Sequence, residues 1–338
     1  MDFLVRHWCI RRTRKSVVRL NQQVVKVFDI LPSQRNFTHK FRYAKNTSGP
    51  STRNMDRLDT PEAARDYVHA ARRKGQRVGI VPTMGALHQG HLSLVAESQK
   101  HCDTTIATIF VNPTQFAPHE DLQKYPRTLE QDCELLASQG ASAVFVPETS
   151  LIYPPGFSTY VDPPAVAASL EGEFRPDHFR GVATIVLKLF QILPGTHAFF
   201  GRKDYQQLKV IEAMVRDLNV GIDVVACDTV REPDGLALSS RNRYLDPQQR
   251  QIALQISRAL QSTQRRVQAG QTDVATLQNE MRHELLGGGD PAKAVDKIDY
   301  ASIVDADSLA PLTELDRPAV ALIAAFVGPT RLIDNLLL

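Results

Sequence analysis

Apolar positions along this chain fall into two periods. Short continuous runs at 78–81, 104–111, 143–146, 198–200 and 222–225 read as strands. Stretches at 59–74, 92–101, 129–139, 182–193 and 205–218 carry the helical spacing. The first of these opens on Thr60-Pro61-Glu62 as cap, first-turn proline and first-turn acid, and the third stops at Gly140. Strands alternating with helices predict an α/β fold on a parallel, doubly wound sheet, whose ligands sit beyond the carboxyl ends of the strands. From about Pro233 the texture changes: 246–268 and 274–286 predict helices, Gly287-Gly288-Gly289 a break, and 298–304 and 319–327 strands. This describes a smaller C-terminal α/β domain, 233–338, joined to a larger body, 55–232, through a hinge near 231–240.

The polar motifs of the larger body lie just after its strands. Ile80 to His91 reads I-V-P-T-M-G-A-L-H-Q-G-H, in which a strand breaks on Pro82 and a small-residue loop leads to His88 and His91 at the mouth of the next helix. Unpaired N–H groups and the positive dipole end make such a mouth a phosphate site, and two imidazoles add donors. Gly85 and Gly90 leave room for a ligand against the backbone, and Pro82, Thr83 and Met84 place backbone atoms against the same ligand. Gly201-Arg202-Lys203-Asp204 also follows a strand and opens a helix. Lys203 there is a point charge for phosphate, with Asp204 as cap or as its orienter; the bland reading is a solvated loop with a plain cap.

Leu238-Ser239-Ser240-Arg241-Asn242-Arg243, at the hinge, pairs hydroxyls with guanidinium forks suited to phosphate oxygens, or is a solvated turn. Gln115 and Gln207 are neutral amides beside these motifs, able to hold a small substrate's hydroxyl and carboxylate; either alone reads as an ordinary surface residue. The stretch 171–180 is a dense charged loop in which Arg175 either meets a carboxylate or triphosphate or stays in solvent. The chain has no G-x-x-x-x-G-K-[ST], G-x-G-x-x-G or G-x-S-x-G, which disfavours covalent serine chemistry and dinucleotide redox.

Charge separates the chain into unlike parts. The net +3 over 338 residues hides an extension, 1–54, with twelve Lys or Arg against Asp2 and Asp29, and a body with 28 basic and 35 acidic residues. An acidic body argues against a nucleic-acid partner. The extension has the Arg-rich, acid-poor composition of an organelle transit peptide, and it reads equally as a disordered basic arm or as a mis-assigned start. No apolar run approaches the roughly 18 residues of a membrane span. Cys9, Cys102, Cys133 and Cys227 are scattered, without C-x-x-C or zinc spacing, and read as reduced thiols, three of them in the core. The location this predicts is cytoplasmic, or an organelle if 1–54 is a leader.

Set in order, V-P-T-M-G-A-L-H-Q-G-H, I-F-V-N-P-T-Q-F, Y-P-R-T-L-E, E-G-E-F-R-P-D-H-F-R-G-V, F-F-G-R-K-D-Y-Q-Q-L, T-V-R-E-P-D-G-L-A-L-S-S-R-N-R-Y-L and T-R-L-I-D-N closely resemble the pantothenate synthetase (pantoate–β-alanine ligase) family over residues 58–335. The resemblance implies a Rossmann-like domain of the H-x-G-H nucleotidyltransferase type with a small C-terminal lid, usually in a homodimer. It implies condensation of (R)-pantoate with β-alanine, using ATP and Mg²⁺, to give pantothenate, AMP and pyrophosphate through pantoyl adenylate.

By motif position, the resemblance implies that Met84, Gly85, Ala86, Leu87, His88, Gln89, Gly90 and His91 line ATP, His91 being the proton donor with His88 beside it. Gly201, Arg202, Lys203 and Asp204 contact ATP, Lys203 through phosphate, which makes His91, His88 and Lys203 the implied catalytic set. Val230 lies by the adenine, and Leu238, Ser239, Ser240 and Arg241 grip phosphates. Gln115 and Gln207 hold pantoate against Pro82 and Met84, Gln115 also lying near β-alanine, while Mg²⁺ is held mainly by the ATP phosphates. Arg202 stands where the family commonly has an acid, and Leu238 where it has methionine; both leave backbone contacts intact. Another H-x-G-H nucleotidyltransferase, or a non-catalytic nucleotide-binding module, is the alternative, and β-alanine-dependent pantothenate formation separates them.

Overall fold

The computed structural model describes residues 55–117, 122–123 and 125–338. The extension 1–54, with Cys9 and every expectation attached to it, lies outside the described residues.

Six strands form one parallel sheet: β1 (Asp56–Leu58), β2 (Val78–Thr83), β3 (Thr104–Ile109), β4 (Ala143–Phe145), β5 (His197–Gly201) and β6 (Asp223–Cys227), in the spatial order β1-β4-β3-β2-β5-β6. Successive strand residues point to opposite faces, and both faces are covered. Val78 and Ile80 of β2 pack with α1 (Pro61–Arg73), α6 (His178–Ile192) and α7 (Tyr205–Asp217), whereas Val81 packs with α2 (Gln89–His101) and α3 (Leu129–Gln139). This two-sided burial is why the strands read as continuous apolar runs. Ile80, Ile106, Phe145 and Phe199 are wholly buried, each stabilising the sheet by about 1.5–3 kcal/mol. Two short helices, α4 (Thr149–Ile152) and α5 (Glu171–Phe174), sit in the connection from β4 to α6. Because β2 lies between β3 and β5, the sheet order reverses at its carboxyl end, which opens a crevice there.

Three antiparallel strands, β7 (Lys297–Asp305), β8 (Ala319–Val327) and β9 (Thr330–Leu337), form the second sheet. One face packs on α8 (Pro247–Gln268) and α9 (Val274–Leu285) through Ala301, Ile303, Ile323 and Val327. Its other face, Val320, Leu322 and Ala324, packs on Leu170 and on Tyr205 of α7. A capping box starts α8: Asp246 accepts from Gln249 N at 2.8 Å while the Gln249 side chain accepts from Asp246 N at 3.1 Å.

Five details differ from the sequence pattern. Strand β2 runs through Pro82 to Thr83 instead of breaking there, pairing with β3 over its whole length. The first element is β1 rather than a helix at Thr60, because three residues with two exposed charges carry no periodic signal. The segment 171–174 is helical, and its Glu171 is buried rather than solvated. Strand β9 gave no apolar pattern because Arg331, Asp334 and Asn335 point inward to buried polar partners. Cys102 and Cys227 are buried, but Cys133 is only half-buried. Among the described residues no helix is long and apolar enough to cross a membrane.

Candidate active site

The crevice at the carboxyl ends of β2, β3, β5 and β6 holds a cavity of about 250 Å³. It is lined by Pro82, Met84, His88, Gly90 and His91 from the β2–α2 segment, by Gln115 after β3, by Gly201, Lys203, Asp204 and Gln207 after β5, and by Val230 and Leu238 to Arg241 from the hinge. Residues far apart in sequence thus share one wall. Gly85, Ala86, Leu87, Gln89 and Arg202 do not reach it. Arg202 instead turns outward to the Asp228 carboxylate.

Helix α2 begins at Gln89, earlier than its apolar spacing shows, so His88 is its N-cap and His91 its third residue. His88 Nδ1 accepts from Gly90 N at 3.1 Å, and His91 Nδ1 accepts from His88 N at 3.4 Å, a reciprocal cap made of two imidazoles. An Nδ1 that accepts has no proton, so each neutral ring carries its hydrogen on Nε2. The rings stack loosely, centroids 4.1 Å apart.

Burial, the neighbouring His88 ring and Lys203 lower the His91 pKa to about 3, while burial followed by the charges of Lys203 and Arg243 lowers that of His88. In the free protein His91 is therefore a neutral N–H donor. His91 should remain neutral, in the Nε2–H form, at about pH 5, well below the ordinary histidine range. Long-range ¹⁵N–¹H spectra of the imidazoles read this directly, and a doubly protonated His91 at that pH would contradict the geometry.

The loop before these histidines also differs from the expectation of unpaired N–H groups. The Asp132 carboxylate on α3 accepts from Ala86 N (2.9 Å) and Leu87 N (2.8 Å), and from the Thr128 hydroxyl (3.1 Å). These two loop N–H groups, just upstream of the helix mouth, are thus used by an internal carboxylate. A Cβ on Gly85 would meet Asp132 Oδ2 at 3.0 Å, and one on Gly90 would meet the His88 ring at 2.9 Å. Both glycines make room for protein groups that orient the histidines. Gly85 and Ala86 take left-handed φ of 81° and 51° to close the loop.

On the other side stands an amide-rich wall. Asn112 Nδ2 donates to Gln115 Oε1 at 3.0 Å, its own Oδ1 accepts from the Tyr153 hydroxyl at 2.8 Å, and Gln115 Nε2 donates to Met84 Sδ at 3.1 Å. The Gln115 carbonyl accepts from His178 Nδ1 at 2.9 Å, which leaves His178 Nε2 to accept from the Arg175 guanidinium at 3.1 Å. Arg175 thus faces the cavity rather than bulk solvent. Pro82, Phe110, Val182 and Ile185 add apolar surface to the cavity. A second cavity of about 620 Å³ on the C-terminal side shares Arg175, Lys203, Asp204, Ser239 and Arg241 with the first, so Lys203 stands on the partition. Its Nζ lies 3.7 Å from the Asp204 carboxylate.

No three His, Cys, Asp or Glu side chains among the described residues cluster closely enough to hold a metal alone. Asp204 on the cavity wall fits a Mg²⁺ that takes most of its ligands from phosphate and water, whereas the Asp228 carboxylate is paired with Arg202. Motif reading missed Asn112, Asp132, Tyr153 and His178 as supporting residues. Only the polar residue inside the periodic pattern of α3 hinted at one of them.

Residues 56–337 match the family model for pantoate-beta-alanine ligase. The pantothenate synthetase of Rhodopirellula baltica is 51% identical over 83% of this chain and 98% of its own length, and that of Moorella thermoacetica 48% identical over 84% and 99%. The crystal structure of the Thermus thermophilus pantothenate synthetase superposes with a TM-score of 0.77 at 41% identity, covering 83% of this chain and 99% of that one. The pantoate-beta-alanine ligase of Francisella tularensis, complexed with beta-gamma ATP and beta-alanine, gives 0.66 at 35% identity over 84% and 97%. The chain belongs to the pantoate-beta-alanine ligase family.

Proposed function

We propose that this ligase activates pantoate as its adenylate in the crevice between His88, His91 and Lys203, and then passes the acyl group to β-alanine at the Gln115 wall. The observation that carries the reading is that one cavity joins cationic and N–H donors to a neutral, half-apolar wall. Pantoate has a carboxylate, two hydroxyls and a quaternary carbon with two methyls. Gln115 and Gln207 suit the oxygens, and Pro82, Met84 and Val182 suit the methyls.

In the first step a pantoate carboxylate oxygen bonds to the α-phosphorus of ATP as the bond to pyrophosphate breaks. Negative charge grows on the non-bridging and leaving oxygens. The Nε2–H groups of His88 and His91, the Lys203 ammonium, the Arg241 guanidinium and the hydroxyls of Ser239 and Ser240 receive that charge, while Val230 and Leu238 border the nucleoside. Phosphate anions beside His91 raise its proton affinity, so the ring gains the capacity to protonate pyrophosphate only once ATP is bound. When bound, Mg²⁺ supplies further charge neutralisation on the phosphates, with Asp204 the wall carboxylate placed to hold it. In the second step the β-alanine amine attacks the acyl carbon, AMP leaves with the bonding pair, and the nitrogen loses a proton to water. Positioning, rather than a strong base, suffices there.

Residues 55–232 serve as the ATP- and pantoate-binding body and 233–338 as the lid in this reading, working as a cytoplasmic homodimer on small molecules. The test is exchange of labelled pyrophosphate into ATP. It should require pantoate but not β-alanine, and pantothenate should appear on adding β-alanine. AMP release at an unchanged rate without β-alanine, or no pantothenate, defeats the proposal.

A further inference from the structure

The C-terminal motif Thr330 to Asn335 enters neither step above, yet it reaches the turn that carries Lys203. Asn335, 6% exposed on β9, donates from Nδ2 to Arg202 O and to Lys203 O, both at 2.8 Å. These carbonyls belong to the 3₁₀ turn Arg202–Asp204 between β5 and α7. Neither Gly201 nor Asp204 makes a side-chain cap, so the turn is not held by the local residue that the sequence suggested. It is held from the second sheet.

The holder is itself braced. Asn335 N donates to Asp334 Oδ1 at 2.8 Å, and Asp334, 4% exposed, takes a bidentate pair from Arg231 at 2.6 and 3.0 Å. Arg231 also donates to Gly235 O at 3.1 Å. A chain of hydrogen bonds therefore runs from the hinge through Arg231 and the buried Asp334 and Asn335 to the backbone of Lys203.

We propose that Asn335 is a positioning residue that sets the place of the Lys203 ammonium on the cavity wall, so that adenylate formation depends on the seating of the second sheet. The proposal rests on the reading of Lys203 as a phosphate contact. Both amide hydrogens are committed to two consecutive carbonyls, a task only a side-chain NH₂ of this length performs at this site. Asn335→Asp keeps the shape but sets acceptor oxygens against those carbonyls. Asn335→Ala removes the donors and lets water replace them, a milder change.

The test measures pantoate-dependent ATP/pyrophosphate exchange together with β-alanine ligation from supplied pantoyl adenylate, in the full chain, with thermal midpoints alongside. Asn335→Asp should lower kcat/KM for ATP in exchange by about tenfold or more, Asn335→Ala by less, with the ligation step nearly unchanged because pyrophosphate has already left. Combined with Lys203→Ala, either change should add little to the loss from Lys203→Ala alone, the coupling expected of residues acting through one group. Full additivity, or equal losses in both half-reactions, would mark general damage and overturn the inference, as would normal exchange in both Asn335 variants. Normal exchange in Lys203→Ala itself would instead remove the phosphate reading on which it rests. If Asn335→Asp does not fold, the Asn335→Ala cycle decides by the same criteria.

Discussion

Lys203→Ala is expected to slow pantoate-dependent ATP/pyrophosphate exchange by about 10²- to 10³-fold, a loss of roughly 2.7–4 kcal/mol of transition-state stabilisation. Lys203 lines both cavities and its side chain is largely buried, 20% exposed. There its interaction with developing phosphate charge is less screened than in bulk water. Its one salt-bridge partner among the described residues is the adjacent Asp204 at 3.7 Å, long enough for the ammonium to turn toward a substrate. The loss should fall on kcat as well as on KM for ATP, because charge on the leaving oxygens grows in the transition state. His91→Ala, in the same cavity, should give a comparable loss. Single-turnover adenylate formation with unchanged circular dichroism checks both, and near-normal rates in either variant would undo its assigned role.

Arg331→Ala should destabilise the fold by about 3 kcal/mol. One guanidinium serves two buried carboxylates: it meets Glu171 at 2.7 and 2.9 Å and Asp299 at 2.8 Å, and Glu171 also accepts from the Tyr300 hydroxyl at 2.7 Å. Burial pushes the Glu171 carboxyl up, but the Arg331 hydrogen bonds and charge, with Tyr300 and Arg175, outweigh it and hold the pKa below the ordinary value. A depressed carboxyl pKa contributes stability present above the unfolded value and lost as pH falls through the folded one. Without Arg331, only Tyr300 and Arg175 are left to oppose burial, and Glu171 protonates more readily. The deficit of the variant should therefore be largest at neutral pH and shrink below about pH 4, where the carboxyl is protonated in the variant. Urea unfolding of both proteins across that range measures it. A deficit independent of pH would mean that the guanidinium acts by packing alone.

Arg331 and Asn335 lie on one strand and act on different parts of the site. Arg331 ties the second sheet to Glu171 of α5, the helix just before the Arg175–His178–Gln115 chain, and Asn335 ties it to the Lys203 turn. The ligase thus has both of its walls, amide and cationic, braced from the same C-terminal strand.

Period and punctuation in the sequence were enough for the alternation of strands and helices, for the placing of polar motifs at strand ends, and for the change of texture near Pro233. Those features are local: two-sided burial makes a strand apolar throughout, and caps and glycines end helices wherever they occur. What local pattern could not decide was which hydrogen-bonding groups would be used internally. The backbone of the His88 loop looked open to phosphate, but Asp132, over forty residues away, takes Ala86 N and Leu87 N. The protonation of His91 was equally hidden: enclosure beside a second ring keeps it neutral in the free protein. Asp204 read as a cap or as the orienter of Lys203; it makes no side-chain cap and lies 3.7 Å from the ammonium, while Asn335, more than a hundred residues on, holds the carbonyls of the same turn. Sequence by itself determined the fold class, the family and most of the motif residues that meet in the crevice. Their protonation, their orientation and the partners that hold them were decided only by tertiary packing, because burial and long-range hydrogen bonds depend on which distant segments the fold brings together.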